Sequence, residues 1–245
     1  FPPSITASLF GERCLPYIHD LFLITRPEDL NPRAKLYMAP SFRVAIKKLP
    51  RFLVNSETTC DELRGFCRSD AQIQLYRPNV RNVFGLDADG RGELRTTPGA
   101  LKLIALGTIE PRKNLLAATP GVTIHGYQPL ERVRELLQSA DALISTSHDE
   151  GLGLPLLEAQ YAGLPVFAPD KPVFREVLGE SGLFFDASNA NDAADRIAAL
   201  VSRPEWRAVG RKAALDNLDR WTSLAERDHI EVLRLIARLA NGGAA

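Results

Sequence analysis

Cysteine is scarce. Cys14, Cys60 and Cys67 are the only three in 245 residues. They are too few and too scattered for a disulfide framework or a zinc site, so a reducing cytoplasm is the expected compartment. Net charge is lacking as well, because 30 basic residues meet 30 acidic ones. A protein that coats itself with nucleic acid carries a basic excess, so no nucleic-acid partner is expected. No apolar run approaches the roughly 18 residues of a membrane span, and no signal-peptide pattern opens the chain. An initiating Met is also lacking; the chain begins at Phe1, from which a missing natural N-terminus is expected. What remains is 45% hydrophobic and 24% charged, the balance of a soluble globular protein of one large domain or somewhat more.

The apolar pattern alternates between strand-like and helix-like runs. In the first part, Cys14–Asp20, Arg51–Ser56 and Gln72–Tyr76 read as strands. Ser41–Leu49 reads as a short helix, and Ser56 as the N-cap of another. Gly85–Gly92 and Pro98-Gly99 read as a linker. In the second part, strands are expected at 100–109, 122–126, 142–146, 164–168 and 182–185. Helices are expected from Pro111, over 130–139, 155–162, 174–178, 190–201, 204–218 and 224–239, the last with a Ser223/Glu226 capping box. Such alternation implies α/β architecture with parallel sheets. Only about eight residues separate Pro111 from Pro120-Gly121, short of the dozen or more that a parallel crossover needs. The spacing therefore predicts a strand–helix unit missing near Thr119-Pro120.

The chemistry is concentrated in Asp149-Glu150-Gly151-Leu152-Gly153-Leu154-Pro155-Leu156-Leu157-Glu158. The glycines of this stretch let a ligand approach the backbone, and the free N–H groups at the helix start favour an anion. Glu158 lies one turn further on, where a carboxylate accepts from ribose hydroxyls; Glu150 stands before the loop. A second element, Gly107-Thr108-Ile109-Glu110-Pro111-Arg112-Lys113, follows another strand at its carboxyl end, where open α/β sheets bind ligands. Arg112 and Lys113 suit a diphosphate, and as cations at a helix start they oppose the dipole unless an anion is present.

These residues, with Gly126-Tyr127, Gly163-Leu164-Pro165-Val166, Glu176-Val177-Leu178-Gly179, His19-Asp20 and Val54-Asn55-Ser56-Glu57, resemble the retaining glycosyltransferases of family 4. Their wording is similar to bacterial mannosyl- and rhamnosyltransferases of surface polysaccharide and O-antigen assembly. The resemblance implies a GT-B fold of two facing Rossmann-like domains. Residues 1–94 would be a partial acceptor-side domain lacking its opening strands, and 95–245 the nucleotide-sugar domain with closing helices. It implies metal-independent transfer of a hexose from a nucleoside-diphosphate sugar, GDP-mannose as first guess, to a glycan or lipid-linked acceptor, with no cofactor. Front-face attack would let the leaving phosphate take the acceptor proton. Carried over, Glu158 holds the ribose, Arg112 and Lys113 the diphosphate, Gly107, Thr108, Gly151, Gly153 and Leu154 the backbone cradle. Glu150 meets the donor sugar, His19 lies near the reacting centre, and Tyr127 and Gln128 line the base pocket.

Plainer readings stand beside these. Glu150 and Glu158 could be solvated carboxylates on a surface helix, Arg112-Lys113 a charged first turn, and His19-Asp20 a strand end with a local hydrogen bond. His125 and His148 read as structural or exposed, Tyr161 and Phe167 as core, Trp206 and Trp221 as helix packing, and the cysteines as buried small hydrophobes. A nucleotide-sugar epimerase or a glycan phosphorylase on the same fold is one alternative; an inactive nucleotide-sugar-binding subunit is another. Residues 31–56 hold six basic residues and no acid. They read first as a solvated basic face, and second as a contact with an anionic membrane on its inner face.

Overall fold

Short apolar runs build two parallel sheets in the computed structural model, which describes residues 14–89, 101–107 and 122–241. Two compact units result: the described residues up to Asn79 with those from Ser223 onward, and Val80–Thr222. The boundary drawn from the sequence at 94/95 lies outside the described residues, as do the expected helix from Pro111 and the gap near Thr119-Pro120.

The first unit runs β1 (Tyr17–Ile18), α1 (Phe22–Thr25), a π-helical turn (Ala34–Met38), α2 (Ala39–Lys48), β2 (Arg51–Val54), α3 (Glu57–Arg64) and β3 (Gln72–Leu75). Strand order is β1-β2-β3, with Ile18 level with Val54 and Val54 with Leu75. Phe52, Leu53 and Val54 are all buried, the signature of a strand covered on both faces. Ser56 is the N-cap of α3, accepting from the Thr59 N–H at 3.0 Å. The helix expected at Ser41 starts earlier. The Asn31 side chain accepts from the Ala34 N–H at 2.9 Å, and the π turn ends two residues before Pro40, which has no N–H for the ladder. Arg77 is buried and ion-pairs with Glu57 (2.6 Å) and Asp228 (2.9 Å). Its own backbone N–H also donates to Asp228.

The second unit runs β4 (Leu103–Ile104), α4 (Leu130–Ser139), β5 (Ala142–Ile144), α5 (Leu154–Gln160), β6 (Val166–Pro169), α6 (Pro172–Leu178), β7 (Gly182–Phe185) and α7 (Ala190–Val201). It is closed by the start of α8 (Trp206–Ala240). The four strands lie side by side in chain order, all parallel. Buried Leu157, Leu164, Val166, Phe174, Leu178 and Trp221 form its main core. Buried Asp141 accepts from the Lys102 N–H (2.8 Å) and from Arg207 (3.0 Å), tying α8 to the start of the sheet. Gly163 ends the α5 segment at φ +64°, where an added Cβ would stand 2.7 Å from the Arg211 side chain.

Two expectations fail. Residues 122–126 form no strand; Val122 and Ile124 stand exposed, and where no described neighbour covers it an alternating apolar pattern gains little from extending. The helices expected at 204–218 and 224–239 are one helix of 35 residues, so Ser223 is an interior residue and caps nothing. No Gly or Pro interrupts 211–240, and buried Trp221 and Ala225 flank the supposed break. Among the described residues no helix is long and apolar enough to cross a membrane.

Candidate active site

The site is assembled where β4 and β5 end. The Ser145 N–H continues the sheet by donating to the Phe167 carbonyl (2.8 Å), and the chain then turns through Ser147 and Glu150 to Gly153. Gly153 takes φ +87° and ψ 43°, a left-handed conformation. An added Cβ would meet Leu156 at 3.3 Å and the Phe174 ring at 3.6 Å. Glycine is the residue that fits both constraints.

A hollow of about 280 Å³, its open mouth included, lies beside this turn. Leu106, Ser145, Ser147, Glu150, Gly153 and Phe174 are among the residues that line it. This is the carboxyl edge of a parallel sheet, the place where open α/β sheets receive ligands. Gly107, at φ 148°, follows β4 on the same edge.

The start of α5 has a definite donor inventory. Pro155 has no N–H, and the Leu156 N–H is taken by the Gly153 carbonyl at 3.0 Å. Among the described residues nothing accepts from the N–H groups of Gly153 or Leu154. These two donors lie at the helix start, where the dipole favours negative charge.

Glu158 follows Leu154 by four residues, one turn along the same face. It is half-buried, and burial pushes its carboxyl above the usual glutamate range. No described residue donates to that carboxylate. A desolvated carboxylate without protein donors is unfavourable in isolation, and hydroxyl donors brought to it would offset that cost.

A buried polar network that the sequence reading did not single out fixes α5 against α6. Gln160, fully buried, donates to the Ser181 hydroxyl (2.8 Å) and accepts from Asn217 (2.7 Å). Asn217 also donates to the Val177 carbonyl (3.1 Å) and accepts from Arg220 (2.9 Å). Arg220 caps the end of α6 through the Glu176 and Val177 carbonyls (2.9 and 2.8 Å). Gly179 at φ +50° lets it in, since a Cβ there would lie 3.1 Å from the Arg220 Nε. The signal was Gln160 itself, a polar residue on the same helix face as Leu156 and Leu157.

The other expected residues are scattered. Thr108, Arg112 and Lys113 lie outside the described residues. Gly151 belongs to the loop before α5. Tyr127 is 99% exposed, and Gln128 donates to the His125 carbonyl at 2.6 Å. Neither is among the residues lining the hollow. His19 belongs to the first unit; it is exposed, its ring 4.4 Å from that of Tyr17. Asp20 accepts from the Phe22 N–H at 3.0 Å, the local hydrogen bond of a strand end. Next to His19, burial above all pushes the Tyr17 phenol up to about 12, and its hydroxyl donates to the Tyr76 carbonyl at 2.7 Å. Phe167, Trp206 and Trp221 are core, His125 and His148 exposed, and Cys14 and Cys60 buried with Cys67 half-buried. Among the described residues no group of three or more His, Cys, Asp or Glu side chains is placed to hold a metal ion.

Residues 101–216 match the family described as "Glycosyl transferases group 1". Over 96 residues the chain is 35% identical to the serotype-specific mannosyltransferase WbdA of Escherichia coli, covering 39% of this chain and 12% of that protein. It is 31% identical over 258 aligned positions to the D-inositol 3-phosphate glycosyltransferase of Streptosporangium roseum, covering 92% of this chain and 57% of that protein. The chain thus spans less than two thirds of the length of these relatives. Among solved structures, Anabaena HepE in complex with UDP and glucose superimposes with a TM-score of 0.69 at 14% identity, covering 94% of this chain and 74% of that one.

Proposed function

From a chain with the GT-B fold whose residues 101–216 are a group 1 glycosyl transferase domain, we propose a retaining, metal-independent hexosyltransferase. It takes a nucleoside-diphosphate sugar as donor, GDP-mannose first, and a glycan or lipid-linked acceptor of surface polysaccharide assembly. The observation that carries this reading is the pairing at α5. Two open backbone donors stand at the helix start, Gly153 among the residues lining the hollow, and a half-buried carboxylate to which no described residue donates, Glu158, lies one turn along the helix from Leu154. A phosphate suits the first and a ribose the second. Glu150 at the hollow is assigned to the donor sugar, and Arg112 and Lys113 to the second phosphate and the charge of the departing nucleotide. The mannosyltransferase name of one relative supports mannose. A charged nucleotide sugar does not cross membranes unaided, which supports a cytoplasmic site of action.

The test is a thermal-shift panel of UDP, GDP, dTDP and their sugars on the whole chain. A GDP-selective rise in Tm, abolished by Glu158→Ala, is the expected result. No response to any nucleotide overturns the reading. Binding without nucleotide release from the sugar donor, with acceptor glycans present, would turn it toward a non-catalytic subunit.

A further inference from the structure

Several described arginines stand next to carboxylates. Arg26 pairs with Asp29, Arg68 with Asp70, Arg132 with Glu135, Arg175 with Asp170, Arg196 with Asp192 and Arg234 with Glu231. On one surface five cations gather with no carboxylate among them. Arg33, Lys35, Arg43, Lys47 and Lys48 are all exposed, and no described carboxylate pairs with any of them. They project from the π turn and α2, within a stretch of 26 residues that contains no Asp or Glu. The nearest preceding acids are Glu28 and Asp29, and Asp29 is held by Arg26.

The same surface carries apolar side chains that the core does not take. Leu36, Tyr37, Met38 and Val44 are 66, 70, 48 and 48% exposed. Ala34, Ala39, Phe42, Ala45 and Ile46 on the opposite side are buried and anchor the element. The backbone is fixed, since the Ser41 hydroxyl donates to the Tyr37 and Met38 carbonyls at 2.9 Å. The wider π turn brings three consecutive apolar side chains outward together before Pro40. A rigid helical element with one face in the core, and an outer face that is both apolar and purely cationic, matches a lipid–water boundary. Apolar groups enter the acyl edge, Tyr sits at headgroup depth, and cations meet phosphates.

We infer that the π turn and α2 form a docking surface for anionic lipid bilayers. A second copy of the chain is disfavoured, because a symmetric contact would set five cations against five cations. The inference stands on this element alone and is independent of the donor site.

The experiment is co-sedimentation of the whole chain with vesicles of phosphatidylcholine, alone or with about one lipid in three replaced by phosphatidylglycerol. Partition onto the anionic vesicles is expected to exceed that onto neutral ones by at least about tenfold, since several cations act together. It should fall at least about tenfold in K47E/K48E, and likewise in about 0.5 M salt, where the Debye length shrinks to a few ångströms. L36S/Y37S should release the protein from the anionic vesicles while unchanged circular dichroism shows that both variants fold. Equal partition onto the two vesicles, or partition indifferent to K47E/K48E, overturns the inference. So does a dimer dissolved by L36S/Y37S without vesicle binding, or duplex DNA binding through the same lysines without vesicle binding. Vesicle binding that persists in a protein unresponsive to nucleotides would sink the donor reading and leave this one standing.

Discussion

Replacing Glu158 with Gln should move affinity and stability in opposite directions. The carboxylate is half-buried and no described residue donates to it, so the unliganded fold bears its desolvation uncompensated. Gln keeps the shape and removes the charge, so unliganded stability at neutral pH should stay level or rise. Nucleotide affinity should fall. Two ribose hydroxyls on a carboxylate contribute about 1.5–3 kcal/mol each, against about 0.5–1.5 on a neutral carbonyl. The difference over two bonds, about 2–3 kcal/mol, is about 30- to 150-fold in Kd. Acidity separates the same two effects. The folded-state pKa lies above the unfolded one, so the fold binds the proton more tightly. This group's penalty on stability is absent below the unfolded pKa and grows as pH rises through the folded one. Affinity runs the other way, weakening as falling pH protonates the carboxylate. Calorimetric titration with GDP across pH, alongside unliganded melting curves, reads both. A change in Kd below about threefold, or a melting temperature several degrees lower in the variant, would refute the ribose assignment.

Three further substitutions probe the supports. Gly153→Ala forces a side chain to φ +87° within 3.3 Å of Leu156, so unfolding free energy should drop by about 1–2 kcal/mol, with weaker nucleotide response in the same melting assay. Asn217→Ala strips Gln160 of a donor inside the fold and should cost about 1–3 kcal/mol, read from the urea midpoint. Arg77→Met leaves buried Asp228 without its ion-pair partner and should cost about 3–5 kcal/mol by the same measurement; a loss under 1 kcal/mol would show that the pair is dispensable.

Local chemistry made much of this fold legible. Phe52-Leu53-Val54 announced a strand covered on both sides, Ser56 a cap, and Gly163 a helix end, because each is settled by residues close in sequence. The Gly153-Leu154-Pro155 wording likewise reads as a turn into a helix, and Gly153 adopts a left-handed backbone there. What could not be read depends on distant partners. Residues 122–126 have the alternation of a strand and pair with no strand among the described residues. Trp221 and Ala225 carry α8 through a stretch that looks like a break, because both are buried by residues far along the chain. The Gln160–Asn217–Arg220 network joins positions up to 60 residues apart, and no window of sequence contains it.

The donor inventory at Gly153–Leu154 has a consequence for selectivity. With Pro155 lacking a hydrogen and Leu156 already committed, the turn offers enough to engage a single phosphoryl group. On the proposed reading, preference for a nucleoside diphosphate over the monophosphate rests on the side-chain cations assigned to the second phosphate, Arg112 and Lys113. Raising the ionic strength should erode that preference while leaving recognition of the monophosphate nearly intact. A nucleotide site built this way would lose its ability to tell diphosphate from monophosphate in concentrated salt, well before it lost its grip on either.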